Sequence, residues 1–251
     1  MAPPGRFKVL GVDISVTDLA GAVSCINAWN ERGERRYVCV TPVHGVMECQ
    51  RDEELRRIHN SSGLTVPDGM PLVWAGRLQG YSQMGRVFGP DLMMALCQLS
   101  VSTGYSHFLY GGDTGVAEEL RRRLCRKFPG IKIVGTFTPP FRPLNPAEEE
   151  QLIAQVARVK PDIVWVGLGC PKQEHFMGAY LPKLDTTVML GVGAAFDFHT
   201  GRAQDAPRWM KASGLQWLHR LMQDPKRLGK RYLINNPLFA YKFLRQTIAK
   251  K

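Results

Sequence analysis

One carboxylate, Asp68, stands between Pro67 and Gly69 in an otherwise apolar segment, with Leu64, Val66, Met70 and Leu72 around it. Two kinds of chemistry fit that placement. Asp-Gly is a strong turn signal, so the residue could serve the backbone alone. A carboxylate shielded from water by apolar neighbours is also a stronger base than usual. Within about 3 Å of a hydroxyl it can take the proton that keeps that oxygen from attacking a carbon centre. The residues by themselves leave both readings open.

Other groups fall where a ligand would meet them. Gly111-Gly112, Gly167-Leu168-Gly169 and Gly191-Val192-Gly193 each close an apolar run. Gly-rich turns at strand ends let the backbone approach phosphate. Each alone is an ordinary tight turn, but several on one sheet edge point to a nucleotide pocket. Thr41, Thr136 and Asp197 occupy the same edge, and Pro171-Lys172-Gln173-Glu174 opens a helix directly after a strand, where side chains and free N–H groups face a ligand. Proline at the first helical position with an acid in the first turn also describes a plain helix start. Asp197, between Phe196 and Phe198, reads equally as a buried structural acid.

Metal and cofactor signatures are missing. No Asp-x-Asp pair occurs, and His44, His59, His107, His175, His199 and His219 never form His-x-x-x-His. No metal site is therefore expected, and each histidine reads as structural. The chain lacks both G-x-G-x-x-G ahead of a helix with a ribose acid and the P-loop G-x-x-x-x-G-K-[ST], so no cofactor is expected. Cys25, Cys39, Cys49, Cys97, Cys125 and Cys170 show no C-x-x-C spacing and read as reduced core residues.

The net charge of +11 is unevenly placed: Arg202 to Lys251 holds 12 basic and 2 acidic residues, against 21 and 20 in the first 201. A near-neutral body with a cationic tail calls for an anionic partner, whether nucleic acid, membrane phosphate or a diphosphate. The first residues lack a signal-peptide apolar region and no stretch of about 18 apolar residues follows, so a cytoplasmic location is expected.

The elements that must position these groups alternate along the chain. Strands are read at RFKVLGVDIS (a strand pair or a strand and turn), RRYVCVTP, GLTVPDG, HFLYGG, IKIVGTF, DIVWVGLG and finally TVMLGVGAAFDF. Helices fall between them at DLAGAVSCINAWN, GVMECQRDEELRRIHNS, GPDLMMALCQLS, DTGVAEELRRRLCRKF, NPAEEEQLIAQVARV, with Asn145 as N-cap and Glu148 three residues on, and CPKQEHFMGAYLPK. Strands without polar alternation, separated by amphipathic helices, predict an α/β fold: a Rossmann-like, mainly parallel sheet with helices on both faces, spanning 1–201. Residues 202–251 predict a basic, amphipathic helical appendage cut into short helices by Pro225 and Pro237. On it Trp217, Leu218, Leu221 and Met222 share a face from which Arg220 turns away. Trp209, Trp217 and Tyr232 interleave with the cations, as in segments whose rings sit at lipid headgroup level. A helix pair packed on the core with a solvated basic face is the plainer alternative.

Seven ordered blocks carry a resemblance: VTP at Thr41, VPDGMPLVWAGRLQG, RVFGPDLM, FLYGG, GLGCPKQE, GVGAAFDFHTGRAQDAPRWM and GLQWLHRLMQDPKRLGKRY. Together, from about residue 7 to residue 245, they resemble the WecG/TagA/CpsF family of bacterial glycosyltransferases. The resemblance implies an inverting, metal-independent transferase that moves a sugar from a UDP-sugar onto an undecaprenyl-diphosphate-linked sugar in surface polysaccharide or teichoic acid synthesis. It would work as a peripheral protein on the inner face of the cell membrane, and the family suggests self-association.

The resemblance also implies roles. Asp68 becomes the general base, with Thr41 and Gln173 beside it, and Arg220, Arg227 and then Lys230 or Arg231 hold the acceptor diphosphate. The turns at Gly111, Gly112, Gly167, Gly169, Gly191 and Gly193, with Thr136, Gln173 and Asp197, then form the donor site. The sequence departs from the family at Thr41-Pro42-Val43-His44, where many members carry T-x-N, so the donor is N-acetylmannosamine, glucose or a related hexose. A nucleic-acid-binding α/β protein would explain the tail but not the glycine turns, and a nicotinamide oxidoreductase would explain the core but not the tail.

Overall fold

The structure is a computed structural model describing residues 3–249; the side chains of Arg208, Ala212 and Arg227 lie outside the described residues. The chain opens with an antiparallel hairpin, β1 (Arg6–Val9) and β2 (Val12–Ser15). Leu10 and Gly11 turn it with φ of 49° and 79°, as a two-residue hairpin with right-handed twist requires.

Six parallel strands follow: β3 (Arg36–Thr41), β4 (Leu64–Pro67), β5 (Ser106–Gly111), β6 (Lys132–Phe137), β7 (Ile163–Gly167) and β8 (Val188–Gly191). They lie in the order β4-β3-β8-β7-β5-β6. The unbroken apolar runs in the sequence exist because β7 and β8 at the centre are covered on both faces. Val38, Val40, Leu190 and Trp165 face one core with α1 (Leu19–Arg32), α5 (Gly89–Thr103), α6 (Val116–Lys127) and α9 (Ala195–Thr200). Cys39, Tyr110, Val164 and Val166 face the other with α7 (Pro146–Val159) and α8 (Lys172–Tyr180). The parallel α/β sheet expected from the apolar runs is the one observed.

Several local expectations change. GVMECQRDEELRRIHNS is two helices, α2 (Val43–Glu48) and α3 (Glu53–Ser61), because Asp52 leaves the helical conformation to cap the second, its side chain accepting the Leu55 N–H at 2.9 Å. The last strand stops at Gly191; a turn through Gly193 at φ +52° starts α9, so Asp197 lies on a helix and not in a strand. Residues 70–78, unassigned in the sequence reading, form α4 (Met70–Leu78) with Pro71 in its first turn. Cys125 is exposed on α6, against the expectation of burial.

After α9 come α10 (Arg208–Ala212), α11 (Gln216–Gln223) and α12 (Pro225–Ile248). α12 runs 24 residues straight through Pro237, where a break was expected. Pro237 removes the N–H that would have bonded the Leu233 carbonyl, but Leu233 is exposed, so water can take that bond. Phe239 and Phe243 hold the helix down in a third apolar cluster with Phe7, Ile14, Val46, Leu72 and Val73.

The carboxyl ends of β5 and β7 are locked by backbone: the Gly112 N–H donates to the Gly167 carbonyl at 3.1 Å. Gly111 sits at φ +121°, and a Cβ there would lie 2.7 Å from the Gly167 oxygen. Gly111→Ala should therefore cost about 2 kcal/mol or more of unfolding free energy in urea titration. A loss under about 0.5 kcal/mol would show that the sheet edge is not held this way.

Candidate active site

β4 is an edge strand, which is why it can end in Pro67, a residue with no N–H for the ladder. The edge is closed instead by single bonds: the Asp68 N–H donates to the Thr41 carbonyl at 3.0 Å, and the Val87 N–H to the Pro67 carbonyl at 2.9 Å. These bonds bring three separate segments together at one point. Asp68 lines a cavity of about 170 Å³ with Arg86, Arg220, Arg231, His44 and Gln173.

Asp68 keeps part of its surface open to that cavity, yet protein atoms enclose it closely. Burial pushes its pKa up to about 7, outweighing the attraction of Arg86, Arg220 and Arg231, while Asp91 adds a smaller push upward. The arginines are themselves held by rings. Arg86 lies over Phe88 at 4.4 Å and Arg220 over Phe198 at 5.4 Å. Arg86 Nη2 is buried with no hydrogen-bond partner among the described residues.

His44 lines the same cavity. Its Nδ1 lies 3.0 Å from Asn235 Nδ2, and Arg51 donates to Asn235 Oδ1 at 3.1 Å, which joins α2 to α12. Burial, with Arg231 and Arg51 nearby, drives the His44 pKa down to about 4, so the ring is neutral at neutral pH and accepts the Asn235 N–H.

A second cavity of about 800 Å³ opens beyond the ends of β5, β6, β7 and β8. Gly112, Gly167, Gly169, Gly193 and Asp197 line it. Aromatic side chains floor it: Phe176 stacks on Tyr110 at 4.1 Å and on Tyr180 at 4.3 Å. At its rim Phe141 is 89% exposed, and Arg142 is gripped by both Glu148 oxygens at 2.7 and 2.8 Å. Glu148 also completes the capping box of α7 with Asn145, so the rim loop is pinned to a helix start. Gly169, Gly193 and Ala194 line both cavities, which therefore share a wall. Among the described residues no group of three or more His, Cys, Asp or Glu is arranged to hold a metal ion.

The model of the glycosyl transferase WecG/TagA/CpsF family matches residues 7–251. The chain belongs to this family. It is similar to the N-acetylglucosaminyldiphosphoundecaprenol N-acetyl-beta-D-mannosaminyltransferase of Bacillus subtilis, at 30% identity over 202 residues, which cover 80% of this chain and 76% of the relative. The enzyme of the same name from Staphylococcus aureus strain MW2 is 25% identical over 239 residues, covering 94% and 91%.

In this glycosyltransferase the expected site residues divide into those that line a cavity and those that support one. Asp68, Gln173, Arg220 and Arg231 reach the smaller cavity, and Gly112, Gly167, Gly169, Gly193 and Asp197 the larger. Thr41 is wholly buried, its Oγ1 donating to the Cys39 carbonyl at 3.3 Å, and it meets the site only through the carbonyl that holds Asp68. Thr136 bonds Glu118 at 3.2 Å and lines neither cavity, and Gly111 and Gly191 lie beneath the lining. Lys230 is exposed outside both cavities, and the Arg227 side chain lies outside the described residues. Contrary to the expectation that Arg220 turns away from Trp217, both line the smaller cavity, whereas Met222 is exposed. Arg86 was missed altogether, although a lone cation ahead of Val87-Phe88-Gly89-Pro90 was the available signal.

The raised pKa of Asp68 has a stability consequence. Its folded-state value lies above the reference 3.8, so the folded state holds the proton more tightly and stability falls as pH rises from about 4 to about 7. Asp68→Asn removes that titration. At pH 8 the variant should be more stable than the parent by on the order of 1–3 kcal/mol, with the gain gone near pH 4. Chemical unfolding at the two pH values checks this, and equal stabilities at pH 8 would contradict it.

Proposed function

We propose that this glycosyltransferase moves a hexose from a UDP-sugar in the larger cavity to the hydroxyl of a diphosphoundecaprenol-linked sugar in the smaller one, inverting the anomeric carbon. The observation that carries the reading is the shared wall at Gly169, Gly193 and Ala194, with a closely enclosed carboxylate among arginines on one side and an open, glycine-lined, aromatic-floored cavity on the other. A donor bridging that wall would present its anomeric carbon to the acceptor side while its nucleotide stayed in the larger cavity.

In the step itself, Asp68 takes the acceptor hydroxyl proton as that oxygen bonds to the anomeric carbon from one face. The bond to the UDP oxygen breaks on the other face, and its electron pair leaves with the diphosphate. The backbone N–H of Gly169 suits that developing charge, since those of Gly112 and Gly193 already donate to the Gly167 carbonyl and to Gln173 Oε1. Arg86, Arg220 and Arg231 suit the acceptor's own diphosphate through forked hydrogen bonds. Asp197 and the Tyr110–Phe176–Tyr180 stack suit a nucleobase, one by accepting N–H bonds and the other by offering aromatic surface. The two relatives' names supply the acceptor class and put N-acetylmannosamine first among donors. Val43 and His44, both at the smaller cavity, stand in the region where many members carry the Asn of T-x-N, so a UDP-glucose comparison belongs beside it.

The same reading includes a peripheral location at the inner face of the membrane, supported by the lipid-linked acceptor in the relatives' names and by the surface. No helix among the described residues is long and apolar enough to span a bilayer. Opposite its buried Phe239–Phe243 side, α12 exposes Leu233, Tyr241, Leu244 and Ile248, and α4 exposes Trp74 and Leu78. With the basic excess of residues 202–251, this fits an interfacial helix on anionic lipid.

Asp68→Asn should fold normally and lose about 100-fold or more in turnover with a short-chain lipid diphosphate acceptor. Because the base works deprotonated, kcat/KM of the parent should rise with pH and level off above a midpoint near 7. Near-normal turnover by the variant would reject the base role. For the membrane contact, Leu244→Glu with Ile248→Glu should weaken co-sedimentation with phosphatidylglycerol liposomes by about tenfold or more while Tm changes little. Unchanged sedimentation would place the lipid contact elsewhere.

A further inference from the structure

We infer that Glu174 is a positioning residue for sugar transfer: it fixes the amide of Gln173 in one orientation, which tethers Gly193 in the wall between the cavities and leaves one amide N–H of Gln173 for the substrate. The inference rests on the transfer reaction proposed above.

Gln173 and Glu174 are adjacent in the first turn of α8, and adjacent helical positions do not normally face each other. Here the Gln173 side chain is folded back so that its Nε2 donates to Glu174 Oε1 at 2.9 Å, while its Oε1 accepts the Gly193 N–H at 2.8 Å. The fold-back needs the space left by a missing side chain, since a Cβ on Gly191 would lie 3.0 Å from Gln173 Nε2. Turning the amide over would set its NH₂ against the Gly193 N–H and its oxygen against the Glu174 carboxylate. Two bonds would become two repulsions, so the pair of partners dictates the orientation. With Oε1 on Gly193 and one N–H on Glu174, the second N–H of Gln173 remains, on a residue that lines the catalytic cavity.

Glu174 has no competing structural task. It is wholly buried, and among the described residues no Lys or Arg lies within ion-pair distance of it. Its Oε2 has no conventional hydrogen-bond partner. Three thiols from separate segments lie near enough to feel its charge: Cys39 on β3, Cys49 after α2 and Cys170 before α8. Burial first, and the Glu174 charge second, raises the pKa of each. A thiol is at best a weak donor. Burying a carboxyl group with so little compensation destabilises the fold, which is the pattern of a side chain kept for what it orients.

The test is a double-mutant cycle on the full chain with Glu174→Gln, Gln173→Ala and the double variant, read by kcat, KM for the UDP-sugar, Tm and hydrogen exchange at the Gly193 amide. The amide introduced by Glu174→Gln can offer either oxygen or NH₂, so it no longer enforces one orientation. Glu174→Gln should lower kcat by about 5- to 20-fold, keep KM within about threefold, and leave Tm at or above the parent value. The double variant should fall no further than Gln173→Ala alone, within about twofold, because both changes remove one unit. Losses that multiply in the double variant, or full turnover by Glu174→Gln, would overturn the inference. Should the parent protein transfer no sugar, the proposed reaction fails separately, and the Gly193 amide decides: faster exchange in Glu174→Gln supports positioning, and unchanged exchange refutes it.

Discussion

Three guanidinium groups around one carboxylate would ordinarily make it a weak base. At Asp68 the enclosure by protein outweighs them, and the group titrates near neutrality. Everything else in the site serves that balance. The bond from Asp68 N–H to the Thr41 carbonyl and the bond from Val87 N–H to the Pro67 carbonyl hold the carboxylate at a sheet edge. α11 and α12 bring Arg220 and Arg231 over it. Arg86 and Arg220 also lie over the Phe88 and Phe198 rings, so Asp68 is not the sole group that holds them.

The same reliance on backbone governs the boundary between the two cavities. Gly169 and Gly193 let the chain pass between them without side chains in the way, and Gln173 supplies the polar contact that glycine lacks. In the proposed inversion the general base and the leaving group lie on opposite sides of one carbon, an arrangement that two adjoining cavities can accommodate. α12 contributes from outside: its inner face packs with α2 and α4, and the His44–Asn235–Arg51 chain ties it to α2 beside the smaller cavity.

Much of this was legible in the residues. Unbroken apolar runs announced the parallel sheet, since central strands covered on both faces have no polar alternation. Pro67-Asp68-Gly69 stands out because a carboxylate among apolar residues is unusual on any pattern, but the residues alone leave both a turn and a base open, and the base role comes from the family resemblance. What escaped notice has physical causes. α4 carries Pro71 in its first turn, shortly after a strand, and has a weak apolar stripe, so periodicity does not separate it from a loop. The start of α9 reads Ala-Ala-Phe-Asp-Phe, an alternation that imitates a strand until the turn at Gly193 is known. Pro237 normally ends a helix, and only the tertiary burial of Phe239 and Phe243 shows why α12 continues. Arg86 becomes part of the site only through contacts distant in sequence, which no local pattern encodes. The same holds for the split of Thr41 and Thr136 away from the cavities.

The pKa of Asp68 is the quantity on which the proposed chemistry turns, and it can be observed without any substrate. Protein labelled with ¹³C at the aspartate carboxyl carbons, with the Asp68 signal assigned by its absence in Asp68→Asn, gives the titration curve directly. A midpoint near 7 is expected. A midpoint near 4, the ordinary aspartate range, would contradict the assignment of Asp68 as a base tuned by burial.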